Sequence, residues 1–306
     1  MTEAQTAFFD LPEFGRMADV LEATGRFKIL RRLERRTCYV TPDGTPTQRG
    51  IFLDVETTGL DPATDQIIEL AMVPFDFARD GRIFTVQESF ERYRDPGRPI
   101  PPSVTELTGI SDETVAGQAI DPAEVAAFIE GATIVVAHNA GFDRLFAERF
   151  CSAFAKVEWG CSWREIDWRS EGFTEGAKLT QLATAAGFFY SGHHAENDCR
   201  AGIEMLSRPL PRSGRLALDI LLASIQTPRW RVWATGAPFD RKDTLKLRGY
   251  RWNDGADGHP RAWFMDVTAE NLEGERQFLR RDVYRRESMP IDAHRIDAID
   301  RYSERH

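Results

Sequence analysis

At 306 residues the chain is long enough for one medium domain and a smaller second one. With 42% hydrophobic and 28% charged residues it is not a disordered chain, and no apolar run approaches the roughly 18–20 residues that span a bilayer. The net charge of −9 speaks against a polyanionic partner until its placement along the chain is considered.

In chain order, residues 12–25 predict a helix and residues 26–44 a strand pair leading to a turn. IFLDVETTGL (51–60) reads as a buried strand ending at a functional turn. IIELAMVPFDF (67–77) and RIFTVQESF (82–90) follow as an antiparallel pair across the turn RDG. PSVTELTG and DPAEVAAFIEG predict helices closed by glycines, and ATIVVAH (132–138) a strand covered on both faces. NAGFDRLFAERF, KLTQLATAAG and AENDCRAGIEML predict three further helices. The order describes an α/β mixed sheet flanked by helices. SRPLPRSG (207–214) is the best domain break, followed by the apolar helix RLALDILLASI. Strand, helix, hairpin and helix signals then make a small α+β unit. The expected division is an N-terminal extension (1–48), a main domain (49–206), a linker and helix (207–228) and a small module (229–306).

Asp54 and Glu56 lie two apart on a strand, so both carboxylates leave the same face. A lone pair of this kind usually turns one acid to solvent. Here Asp143 opens a helix directly after a buried strand, and Asp198 lies in a helix five residues beyond His193. Four carboxylates brought together require cations, and oxygen-only donors point to two divalent ions, Mg²⁺ or Mn²⁺. Such a pair activates water against a phosphodiester and steadies the leaving oxygen. An imidazole such as that of His193 accepts the water's proton near neutral pH. Cys38, Cys151, Cys161 and Cys199 are scattered without CxxC spacing, so reduced thiols are expected and a cysteine-ligated zinc is not.

DVETTGL, HNAGFD and HHAENDC, in that order, resemble the three motifs of the DEDDh exonucleases of the RNase H-like superfamily, which includes the proofreading subunit of bacterial DNA polymerase III. The lead-in IPPSVTELTGISDETV resembles that family too, and the likeness covers roughly residues 50–206. It implies an RNase H-like fold and a 3′→5′ exonuclease with Asp54, Glu56, Asp143 and Asp198 as metal ligands. It also implies His193 as general base, because the family spacing selects it over His194. Thr57, Gly59 and Leu60 match the segment that holds the 3′-terminal nucleotide, and Asn139 and Phe142 match positions lining the same cleft. Core packing is an equally good reading of Phe142.

Residues 1–206 hold 20 Lys+Arg and 33 Asp+Glu (−13), whereas residues 207–306 hold 19 and 15 (+4). Trp230, Trp233, Trp252 and Trp263 fall among Arg229, Arg231, Lys246, Arg248 and Arg251, a pattern that suits either a single-strand binding platform or a small aromatic core. Residues 5–9 (QTAFF) loosely resemble peptides that dock on sliding clamps; an ordinary apolar anchor is the other reading. The N-terminus lacks a signal peptide's basic start and apolar core, so a cytoplasmic protein without membrane partners is expected. The expected function is removal of nucleotides from nucleic-acid 3′ ends, DNA before RNA. The alternatives are an RNA 3′-end trimming enzyme and a polymerase-associated binding subunit.

Overall fold

The computed structural model describes residues 11–255 and 258–305; the clamp-like stretch 5–9 lies outside them. Helix α1 (Leu11–Ala23) and a short strand β1 (Arg31–Arg32) precede the long strands β2 (Gln48–Thr57) and β3 (Ile67–Phe77), then β4 (Ile83–Val86) and β5 (Phe90–Tyr93). Helices α2 (Pro102–Thr108), α3 (Asp112–Val115) and α4 (Pro122–Ile129) lead to strand β6 (Ala132–Ala137), helix α5 (Ala140–Phe150) and strand β7 (Glu158–Cys161). Helix α6 (Leu179–Ala185), strand β8 (Phe188–Phe189), helix α7 (Ala195–Leu206) and helix α8 (Ala217–Gln226) complete the first unit. The second unit holds β9 (Arg229–Ala234), α9 (Lys242–Arg248), β10 (Arg251–Trp252), β11 (Trp263–Thr268), α10 (Ala269–Phe278) with a π-helical turn after it, and β12 (Ala293–Ile296).

The main sheet runs β4-β3-β2-β6-β7, with β5 also paired to β3. Strands β2 and β3 are antiparallel, while β6 lies parallel to both β2 and β7. Strand β3 is buried along nearly its whole length, its mostly apolar run interrupted by Glu69 and Asp76. Period-two alternation sorts β2 between two cores. Phe52 packs with α6, α7 and α8, whereas Ile51, Leu53 and Val55 pack with α4, α5 and Trp159. Helix α7 crosses β2 at Gly202, where a Cβ would collide with the fully buried ring of Phe52.

Residues 26–44 do not form their own strand pair. Only Arg31 and Arg32 are strand, and they pair in parallel with Phe188 and Phe189, more than 150 residues away, while Cys38 bridges to Thr85. The stretch 207–228 contributes core: Leu218, Leu221, Leu222 and Ile225 of α8 are buried against the main sheet. Cys38, Cys151, Cys161 and Cys199 are free, and all but Cys38 are buried. No helix among the described residues is long and apolar enough to cross a membrane.

The second unit is a four-stranded sheet, β10-β11-β9-β12, antiparallel throughout and packed on α9 and α10 through Val232, Leu245, Tyr250, Val267 and Leu279. Trp233 is buried here, while Trp252 is half exposed and meets Trp263 edge to face. After β12 the chain returns to the first unit. The Ala298 carbonyl accepts from the Trp159 N–H at 3.0 Å, and the fully buried Arg144 donates to the carbonyls of Ile299 and Arg301 at 2.7 and 2.6 Å. Arg301 in turn pairs with the buried Glu165 at 2.7 Å.

Alanine normally stabilises a helix interior over glycine by roughly 1 kcal/mol. At Gly202 the sign should reverse, because the added methyl has nowhere to go: Gly202→Ala is expected to cost about 1–3 kcal/mol in chemical denaturation, as overpacking does. A stabilised variant would show that α7 can lift from β2.

Candidate active site

Strands β2 and β6 run parallel, so their C-terminal ends open onto one edge of the sheet, the place where α/β sheets bind ligands. Asp54 and Glu56 project there on the Phe52 face, toward α7. The close approach at Gly202 carries Asp198, one turn earlier on that helix, to meet them. Carboxylate oxygens of Asp54, Glu56 and Asp198 lie within 4.8 Å of one another. Asp143, on the first turn of α5, is buried and stands outside this trio; its Oδ1 accepts from the Val55 N–H at 3.3 Å. All four acids line one cleft of about 500 Å³ together with His193.

A fifth acid lies beneath them. Glu69 sits directly opposite Glu56 in the β2–β3 register and is fully buried. Its Oε2 accepts from the Ala195 N–H at the start of α7, at 3.2 Å. The Oδ2 of Asp198 and the Oε1 of Glu69 are buried without a hydrogen-bond partner among the described residues. Burial, and then mutual repulsion, favours the protonated forms. Asp54 is pushed well above the usual carboxylate range by burial and by Asp143, Asp198 and Glu56. Glu56 is raised to about 8 by burial and by Asp198 and Glu69, and burial raises Asp143 and Glu69 to about 7. Burial raises Asp198 too, against a 2.8 Å hydrogen bond donated by the Tyr190 hydroxyl.

His193 is exposed and holds a left-handed backbone (φ 61°), which side chains other than glycine seldom adopt. His194 occupies the N-cap position of α7, with its ring beside Gly109 and outside the residues that line the cleft. Asn139 and Phe142 line the cleft, and the Asn139 Oδ1 is buried without a partner among the described residues. Thr57, Gly59 and Leu60 lie past the end of the cleft lining. The Thr57 hydroxyl donates to the Gly59 carbonyl at 2.6 Å, and Leu60 is 83% exposed.

Four residues that the sequence reading did not single out also bear on the cleft. Tyr190 holds Asp198. Trp163 and Lys178 form part of the wall. His138 lies between Ser162 and the Ala177 carbonyl, so its Nε2 carries the proton and its Nδ1 accepts from the serine. Burial pushes it down to about 4, which keeps it neutral. Glu69 left a sequence signal, an acid in the middle of an otherwise apolar strand; Tyr190 left none.

The family model described as Exonuclease, RNase_T, matches residues 51–206, just over half of the chain. The chain belongs to this exonuclease family. Its mixed sheet flanked by helices is the RNase H-like arrangement. Among relatives of the chain, the DNA polymerase III PolC-type protein of Halalkalibacterium halodurans is 42% identical over 99 residues, 31% of this chain and 6% of that protein. The PolC-type protein of Listeria monocytogenes is 44% identical over 108 residues, 34% of this chain and 7% of that protein. The match thus spans less than a tenth of the length of these relatives. Among solved structures, Exonuclease X in complex with 5′ overhanging duplex DNA is 24% identical with a TM-score of 0.40, over 56% of this chain and 90% of that one. The zinc-bound E. coli Exonuclease I–ssDNA complex is 17% identical with a TM-score of 0.48, over 75% of this chain and 67% of that one.

The raised carboxylates make stability depend on pH in a defined direction. Their folded-state values exceed the unfolded ones, so their contribution is complete in acid and is lost as pH rises through about 7–8. In chelator, the protein should therefore lose stability between about pH 6.5 and 8, a window above the range where His138 would charge on unfolding. Asp54→Asn should flatten that slope. Denaturation midpoints that hold level across the window in the unsubstituted protein would mean the acids are not crowded as described.

Proposed function

We propose that this exonuclease hydrolyses phosphodiester bonds from the 3′ ends of DNA, with Asp54, Glu56, Asp143 and Asp198 holding two divalent cations, Mg²⁺ or Mn²⁺, and His193 as general base. The observation that carries the reading is the convergence of three carboxylates within 4.8 Å, two from β2 and one from α7, with the buried Oδ2 of Asp198 left without a partner among the described residues. An all-oxygen donor set of this charge fits hard divalent cations. DNA as the substrate rests on the PolC-type DNA polymerase relatives.

When bound, the cations supply charge neutralisation and Lewis-acid polarisation of the scissile phosphate. The chain's own residues do the rest. His193, exposed at the mouth of the cleft, takes a proton from the attacking water as its oxygen bonds to phosphorus. The bond to the leaving 3′ oxygen breaks, and that oxygen leaves with the shortened strand. Tyr190 fixes the orientation of Asp198 through its hydrogen bond. Asn139 and Phe142 form the wall against which the terminal nucleotide rests, and Leu60, exposed beyond that lining, wedges against its base.

Degradation of 5′-labelled single-stranded DNA, duplex DNA and RNA tests the reading side by side. A ladder shortening from the 3′ end of DNA in Mg²⁺, absent in chelator, is the expected result; immediate release of the 5′ label as a mononucleotide, with no ladder, would reverse the polarity. Asp54→Asn, Glu56→Gln, Asp143→Asn and Asp198→Asn should each lower the rate at least about 100-fold, since even residues behind a metal's own ligands cost about 10–100-fold. The same variants should lose much of the thermal stabilisation that Mg²⁺ gives the unsubstituted protein. His193→Ala should cost about 10²–10⁴-fold, and His194→Ala far less. Near-normal turnover of any carboxylate variant removes that residue from the set.

A further inference from the structure

Between the two units lies a groove of about 410 Å³ that the cleft chemistry does not use. Five arginines line it: Arg164 from the first unit, Arg229 and Arg231 on β9, Arg251 on β10, and Arg301 on the returning tail. The carboxylates beside them are largely committed. Glu165 is held by Arg301 and the Tyr302 hydroxyl, and Glu304 pairs with Arg149. Asp266 takes Arg231 at 2.8 and 3.0 Å and is shared, at 3.3 Å, with Arg251. Arg164 forms no ion pair among the described residues, and the guanidinium of Arg229 reaches the Ser224 hydroxyl at 3.1 Å. Burial, together with the charges of Arg164 and Arg231, draws the Arg251 guanidinium below its ordinary range despite the opposing pull of Asp266. The groove holds positive charge in search of an anion.

The groove and the cleft are lined by neighbouring residues of the same two segments. Gly141 lines the groove and its neighbours Phe142 and Asp143 line the cleft; Arg164 lines the groove and Trp163 the cleft. Trp163 is 41% exposed, with the Arg164 guanidinium 5.5 Å above its ring, so an aromatic face and a cation stand together where the two meet. An anionic cleft repels a polyanion everywhere except where cations sit, so affinity for a strand must come from elsewhere on the surface. Aromatic and arginine side chains along a groove are what single strands use.

We propose that this groove carries the single strand upstream of the scissile 3′ end, with the bases passing over Trp163 and the phosphates held by Arg164, Arg229 and Arg251. The proposal rests on the reading of the cleft as a 3′→5′ nuclease site and adds to it the path and the length of strand engaged.

The test is binding of the full chain, in chelator so that nothing is cut, to fluorescent oligothymidylates of about 25 and about 4 nucleotides. The double variant Arg164→Ala/Arg251→Ala should lose at least about 10-fold in affinity for the long strand at low salt, and much less for the short one. The slope of log affinity against log salt should become shallower by about 0.7 for each arginine removed. Arg164→Ala alone, an exposed residue whose loss leaves no buried partner, should show half of that change and guards against a folding defect in the double variant. Arg281→Ala, on an 81% exposed side chain outside the groove, should bind as the unsubstituted protein does. Unchanged long-strand affinity and slope in the double variant overturn the proposal, and so does an equal loss for both lengths. Lost affinity for polyglutamate with DNA binding intact would assign the groove to an acidic protein instead. Degradation of labelled DNA by the unsubstituted chain is measured separately, so the groove can fail while the nuclease reading stands.

Discussion

The structure turns on like charge buried together at the end of one strand. Asp54 and Glu56 leave β2 on one face, Glu69 stands opposite Glu56 on β3, and Asp198 is pressed toward them from α7. Nothing in the fold relieves this by distance. Gly202 lets the helix sit against Phe52 with no side chain between, which is what brings Asp198 in. The protein alone meets the cost partly by protonation and partly by dipoles: the Val55 N–H to Asp143, the Ala195 N–H to Glu69 and the Tyr190 hydroxyl to Asp198.

Much of this was legible in the residues and some was not, for physical reasons. The same-face placement of Asp54 and Glu56 follows from the period of a strand, and the placement of Asp143 from a buried strand running into a helix. Glu69 is read from sequence only as an acid that interrupts an apolar run. Its partnership with Glu56 depends on register between two strands, which no local pattern encodes. Tyr190 reaches Asp198 across a bend containing the left-handed His193, a geometry that composition does not announce. For the same reason residues 26–44 read as a strand pair of their own, whereas the partner of Arg31 and Arg32 is β8, at the far end of the domain. The Thr57–Gly59–Leu60 turn matches a family pattern in sequence, yet in this structure the Thr57 hydroxyl is already engaged by the turn itself.

The two units differ in how they handle charge. In the first, anions converge and are left short of partners; in the second, cations outnumber their partners along the face turned toward the first. The aromatic residues that look like a binding platform in sequence divide differently in space. Trp230 and Trp263 pack against the small core, Trp233 is buried against Phe264, Trp252 meets Trp263 at the sheet edge, and the aromatic that borders the cleft is Trp163 of the first unit. Charge asymmetry along a chain thus becomes charge opposition across a seam.

The tail after β12 has a consequence for how the molecule is assembled. Arg144, fully buried inside the first unit, finds two of its acceptors on Ile299 and Arg301, and the outer strand β7 is bonded by Ala298. During synthesis the main domain therefore emerges with that guanidinium paired only to Glu148, and its carbonyl acceptors arrive only after about 150 further residues have been made. Folding proceeds from a provisional core to a finished one, with the second unit threaded between the two moments. Non-local closure of this kind slows assembly. It also means that the small sheet, anchored by α8 on one side and the tail on the other, is a clasped loop of the larger domain and cannot swing as a pendant would.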